Sequence, residues 1–169
     1  EIHGAHGYLV DQFFWEKMNR REDAYGGNQV QRTTFAARIV EAIRKAVGED
    51  YPIVFRFSQW KQQDYAARLA TTPEELKDFL QPLVDAGVDI FHASTRRFWE
   101  PEFATSDLNL AGWTKRITGK PTISVGSVGL NQEFITTFAG ASAEPDAKGI
   151  EELITRMEAD EFDLIAVGR

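Results

Sequence analysis

Residues 72–93 read TPEELKDFLQPLVDAGVDIFHA, a helix signal running directly into a strand signal. Thr72 is an N-cap residue, Pro73 suits the first helical position, and Glu74 and Glu75 suit the positive end of the helix dipole. Leu76, Phe79, Leu80 and Leu83 recur at helical spacing as far as Ala86-Gly87, and Pro82 inside that run predicts a kink. Val88–Ala93 then reads as a short buried strand, apolar and bounded by glycine and polar residues.

The same alternation extends both ways. Pro52–Phe57 (PIVFRF), Pro121–Val125 (PTISV) and Leu164–Val167 (LIAV) read as further buried strands, and Glu1–His3 as the tail of a fifth. Phe35, Ile39, Ile43 and Val47 mark a helix closed by Gly48. Asn109 to Thr118 reads as a short helix before Gly119, and Ile150, Leu153, Ile154 and Met157 mark the last one. Strand centres at Phe55, Ile90, Ile123 and Ile165 are 35, 33 and 42 residues apart. That is the rhythm of repeated βα units on a parallel sheet, an α/β fold. Leu9 to Asn28 reads as a long irregular aromatic loop, packed and functional through Phe13, Phe14 and Trp15.

At 169 residues the chain is one domain's length, and 43% hydrophobic with 27% charged residues is ordinary for a globular protein. The net charge of −7 lacks the basic footprint of nucleic-acid binding and argues against anionic membranes. No apolar run approaches the roughly 18–20 residues of a membrane span. There is no cysteine, which excludes disulfides, thiol nucleophiles and Cys-ligated iron–sulfur clusters and fits a cytoplasmic protein. The chain starts at Glu1 without Met and stops directly after an apolar run. The expectation is therefore a single domain over residues 1–169 that is a piece of a longer protein.

Several clusters could carry chemistry. His3-Gly4-Ala5-His6-Gly7-Tyr8 places two imidazoles and a phenol within six residues at a strand end, separated by small residues that let the backbone turn sharply. Imidazole N–H groups can hold a carbonyl oxygen where negative charge develops, and a phenol can deliver a proton. Satisfied structural histidines, or a metal site with His92 as third ligand, explain the same residues. Arg56 shares a strand face with Val54, opposite Ile53, Phe55 and Phe57, so its charge requires either an internal salt bridge or a bound anion. Val125-Gly126-Ser127-Val128-Gly129 and Gly168-Arg169 are strand-end glycine turns that together fit a phosphate, as between the last two loops of a barrel. Ser94-Thr95-Arg96-Arg97-Phe98-Trp99 follows another strand, where a solvated arginine pair competes with a ligand contact.

Taken together, EIHGAHGYL, NRREDAYGG, SVGSVG and AVGR resemble the old yellow enzyme family of flavin-dependent ene-reductases (NADH:flavin oxidoreductases). The resemblance covers most of the chain and implies a partial (β/α)₈ TIM barrel, roughly strands four to eight with their helices. It implies that FMN is bound and that NADH or NADPH donates hydride. His3 and His6 match the pair that bonds the substrate's carbonyl or nitro oxygen, and Tyr8 matches the proton donor. Arg56 matches the arginine at the flavin N1–C2=O edge, and Gly126, Ser127, Gly168 and Arg169 match the FMN phosphate site. NRREDAYGG looks structural, with Arg21 and Asp23 as an ion pair fixing the loop. The sequence departs from the family pattern at Gln31-Arg32, at Phe14-Trp15-Glu16 and in the STRRFW stretch. The implied substrate is a small activated alkene such as an enone. Half a barrel leaves open sheet edges, so self-association is expected. Two alternatives are a folded but inactive half-barrel without flavin and a metal hydrolase using His3, His6 and His92.

Overall fold

The computed structural model describes residues 1–131, 140 and 144–168. Its strands are β1 (Ile2–His6), β2 (Val54–Lys61), β3 (Ile90–Ser94), β4 (Thr122–Val125) and β5 (Leu164–Ala166). They form one sheet in the order β1-β2-β3-β4-β5, every neighbouring pair parallel. Sequential parallel order is what successive βα units produce when each strand is laid beside the last, as along a barrel wall. The helices are α1 (Leu9–Phe14), α2 (Gln29–Val47), α3 (Pro73–Asp85), α4 (Leu110–Thr118) and α5 (Ala147–Glu158). From α1 to α4 each helix packs on the next.

The core lies between sheet and helices. Phe55, Phe57 and Phe91 are fully buried on one sheet face against Leu76, Phe79, Leu80 and Leu83 of α3. Phe14 joins them, its ring 4.8 Å from Phe79. The opposite face carries a row in register across the sheet: His3, Arg56, His92, Ile123 and Leu164. Alternation along β2 therefore divides the strand as its sequence implies, aromatic residues to the helices and Arg56 to the other side.

The helix signals hold. Thr72 caps α3 by accepting from the Glu75 N–H, and the helix runs on through Pro82 to Asp85. Gln31, which departs from the family pattern, completes a capping box with Asn28 at the start of α2. Arg32 is buried and donates to the carbonyls of Phe14 and Gly27, tying α1 to α2. Arg21 and Asp23 form the expected ion pair. A Cβ on Gly26 would meet the Arg21 carbonyl oxygen at 1.8 Å, so that position of the loop requires glycine.

Three expectations need correction. Residues 9–14 are helix α1, not irregular loop. Its buried side carries Asp11 beside Phe14, so a charge breaks the apolar pattern that would have revealed it. β2 continues past Phe57 to Lys61 because Ser58, Gln59 and Lys61, polar as they are, are buried with tertiary partners. β1 reaches His6, with a register irregularity between Gly4 and His6.

Candidate active site

The HGAHGY segment turns at the end of β1. His6 and Gly7 both have left-handed backbones, φ +66° and +83°. Gly7 adopts this freely, whereas a histidine does so only where its surroundings hold it. Those restraints are visible. The His6 N–H donates to Ser58 Oγ at 2.9 Å, and the Ser58 hydroxyl donates to the Trp60 carbonyl at 2.7 Å. The His6 ring stacks on the Trp60 indole, 4.5 Å between centroids and 21° between planes. Its Nε2 lies 2.8 Å from Ser94 Oγ.

The turn gathers all three predicted catalytic residues. The His3 ring centroid is 5.3 Å from that of His6 and 5.5 Å from that of Tyr8. Tyr8 is half exposed, and its hydroxyl donates to Gln62 Oε1 at 2.8 Å. Beneath the turn, Asp11 Oδ2 accepts the Gly7 N–H at 2.6 Å, and Asp11 Oδ1 pairs with Lys61 Nζ at 2.6 Å, both side chains fully buried.

Arg56 is partly buried, and its Nη2 donates to Ser94 Oγ at 3.1 Å. Its Nε is buried without a partner, and among the described residues no carboxylate lies within ion-pair distance. The internal salt bridge is thus not made. Its charge acts on the imidazoles instead. Burial first, and Arg56 second, lower the His6 pKa to about 4, and the same two causes lower that of His3. His92 is also held below the ordinary value, by burial against the opposing pull of Glu1. These rings are neutral at pH 7.

A cavity of about 340 Å³ opens at the C-terminal ends of the strands. Its wall includes His6, Arg56, Gly126, Ser127 and Gly168, so it unites five of the predicted site residues from four strands. Gly126 has φ +145°, and a Cβ there would meet the Thr95 carbonyl oxygen at 2.8 Å and the Arg96 and Arg97 backbone at 2.9 Å. Only glycine lets the turn after β4 pass under the loop after β3. Ser127 has φ +50° and its hydroxyl donates to the Arg96 carbonyl at 2.9 Å. Arg169 lies outside the described residues.

The metal reading gains nothing here. His92 Nδ1 bonds the Glu1 carboxylate at 2.6 Å, and among the described residues no group of three His, Asp or Glu side chains could hold a metal ion. Two neighbours of the site escaped sequence reasoning. Trp60 lies beyond the strand end that PIVFRF implies, and Ser94 stands out in the sequence only as the first residue of the arginine-bearing loop. The alternation of β2 carried three residues past Phe57 would have exposed Ser58 and Trp60.

The cavity brings together groups able to meet an electron-rich edge and a phosphate. It offers a guanidinium with an unpartnered buried Nε at one wall and glycine turns at another. Comparison with known proteins places the chain in a family. Residues 1–142 match the profile of the NADH:flavin oxidoreductase / NADH oxidase family. An NADH oxidase of Thermoanaerobacter brockii is 38% identical over 136 residues, 76% of this chain and 20% of that protein. An NADPH dehydrogenase of Clostridium acetobutylicum is 30% identical over 172 residues, all of this chain and 44% of that protein. 12-Oxophytodienoate reductase 2 of Arabidopsis thaliana is 46% identical over 76 residues, 45% of this chain and 20% of that protein. The chain spans less than half the length of these relatives. With its parallel α/β sheet and its strand-end cavity, the chain belongs to the NADH:flavin oxidoreductase / NADH oxidase family, the FMN- and NAD(P)H-using old yellow enzyme type.

Proposed function

We propose that the chain is the strand-four-to-eight part of a (β/α)₈ barrel, within a longer protein that reduces activated C=C bonds of enones, and nitro compounds, at the expense of NAD(P)H. The observation that carries this reading is Arg56. A partly buried guanidinium with no carboxylate partner among the described residues lines the same cavity as His6 and the Gly126-Ser127 turn. A buried charge left in this state calls for an electron-rich ligand group.

FMN, when bound, would supply the redox chemistry, hydride transfer from NAD(P)H to the alkene. The chain supplies the rest. Arg56 would hold the N1–C2=O edge, and Gly126, Ser127, Gly168 and Arg169 the phosphate. Because the Ser127 hydroxyl already donates to Arg96, the phosphate would be met there by backbone N–H groups. His3 and His6, neutral at pH 7, donate to the substrate oxygen and draw electron density from the double bond. The half-exposed Tyr8 hydroxyl gives its proton to the α-carbon.

The test is titration with FMN, followed by visible absorbance and flavin fluorescence. Binding is expected, and Arg56→Leu is expected to weaken it at least tenfold, about 1.4 kcal/mol. Absence of binding by the wild-type chain would leave the flavin-free, inactive half-barrel as the better description of it. Binding unaffected by Arg56→Leu would remove Arg56 from the site.

A further inference from the structure

Ser94 ends β3 with its side chain almost fully buried, and it stands between two residues of the site. Among the described residues its Oγ has two partners, Arg56 Nη2 at 3.1 Å and His6 Nε2 at 2.8 Å. The roles of the two contacts are not independent. A guanidinium only donates, so Ser94 Oγ accepts from Arg56. Among the described residues the single hydroxyl proton then has one acceptor, the lone pair of His6 Nε2. Were His6 instead to donate from Nε2, two N–H groups would point at one hydroxyl, and its own proton would have no acceptor among the described residues, which almost fully buried hydroxyls avoid.

We propose that Ser94 is a positioning residue: it donates to His6 Nε2 and so fixes His6 as the neutral Nδ1–H tautomer, making Nδ1–H the ring's one donor to the substrate oxygen. The last step rests on the reading of His6 as an oxygen ligand; the tautomer does not. Three further features suit a ring whose protonation is specified. Its plane is set by the Trp60 stack. Its backbone is held in the left-handed region by Ser58. Its pKa of about 4 keeps it neutral at pH 7, leaving Nε2 free to accept. Trp60 also donates from Nε1 to the Ser94 carbonyl at 3.2 Å, so stack and hydroxyl are fixed to each other. The chain Arg56–Ser94–His6 thereby links the residue assigned to the flavin edge with one assigned to the substrate oxygen.

The experiment is long-range ¹H–¹⁵N correlation NMR at pH 7 on the protein labelled with ¹⁵N at its histidines, with His6 peaks identified by their loss in His6→Gln. The expected wild-type result is a pyrrole-type shift at Nδ1 and a pyridine-type shift at Nε2. In Ser94→Ala the two shifts should move toward each other as the ring exchanges between tautomers, and Ser94→Thr, which keeps the hydroxyl, should restore the wild-type pattern. A pyrrole-type Nε2 in the wild type overturns the proposal, and that spectrum decides even if Ser94→Ala does not fold. A Ser94→Ala pattern identical to wild type overturns it as well. The readout needs no flavin: the expected tautomer in a protein that fails to bind FMN upholds the Ser94 assignment while removing the functional reading.

Discussion

Tyr8 and His6 stand two residues apart and are held very differently. Ser58, Trp60 and Ser94 restrain His6, whereas among the described residues the Tyr8 hydroxyl bonds only the Gln62 side chain at the surface. In the roles proposed for them, a proton donor must be able to leave its resting partner, and an oxygen ligand must not move. Tyr8→Phe is therefore expected to leave stability within about 0.5 kcal/mol of wild type. In the flavin-loaded full-length protein it should slow the alkene half-reaction by roughly 10²–10⁴-fold, the range of a lost general acid. Flavin reduction by NAD(P)H should be unchanged. Stopped-flow absorbance separates the two half-reactions, and an unaltered alkene step would remove Tyr8 from proton transfer.

Two buried ionisable groups set how the elements join. Asp11 of α1 and Lys61 of β2 are both inaccessible; burial raises the Asp11 pKa and lowers that of Lys61, while each favours the other's charge. Asp11 also receives the Gly7 N–H, so the pair anchors the turn between His6 and Tyr8. Asp11→Ala would strand the Lys61 charge and is expected to destabilise by about 3–5 kcal/mol, whereas Asp11→Leu with Lys61→Met should recover most of the loss. Urea unfolding of both variants checks this, and a mild single-variant effect would mean that water reaches Lys61. Glu102, in the loop before α4, accepts from Gln59 Nε2 at 2.8 Å, and burial raises its pKa to about 7. The folded state thus keeps a proton that the unfolded chain releases above about 4.5. Stability should fall relative to Glu102→Gln as pH rises from about 4.5 to 7, by on the order of 3 kcal/mol. Thermal melts of both proteins across that range would show parallel curves if Glu102 were not held protonated.

Across the whole molecule, β1 and β5 are the two edges of the sheet. Leu164 and Val167 at the β5 edge are more than half exposed, and Ile150, Ile154 and Met157 expose an apolar stripe along α5. Unpaired edges and apolar stripes of this kind favour pairing with another chain. Size-exclusion chromatography with light scattering is expected to show dimers or larger species that dissociate on dilution. A clean monomer at high concentration would show that these surfaces are tolerated alone.

Much of this was legible in the chain itself. Short apolar runs located the strands, and helical spacing or cap residues located the four longer helices, because sheet and helix faces must each bury apolar side chains, although α2 begins six residues before Phe35 and β2 runs four past Phe57. The HGAHGY, VGSVG and Arg56 positions could be singled out because their chemistry is local: small residues at a turn, glycines at a strand end, a charge on an otherwise apolar strand. What the tertiary structure alone decided is which polar groups are buried together. Asp11 hid helix α1 until Lys61, 50 residues away, supplied its counter-charge. Ser58 and Gln59 looked like the end of β2 until partners from other segments received them. Ser94 became part of the site only when parallel pairing of β2 with β3 brought it beside Arg56, and the β1 turn brought His6 to both. Burial of an apolar side chain follows from its own identity, but burial of a polar one depends on a partner, and partners distant in sequence are chosen by topology.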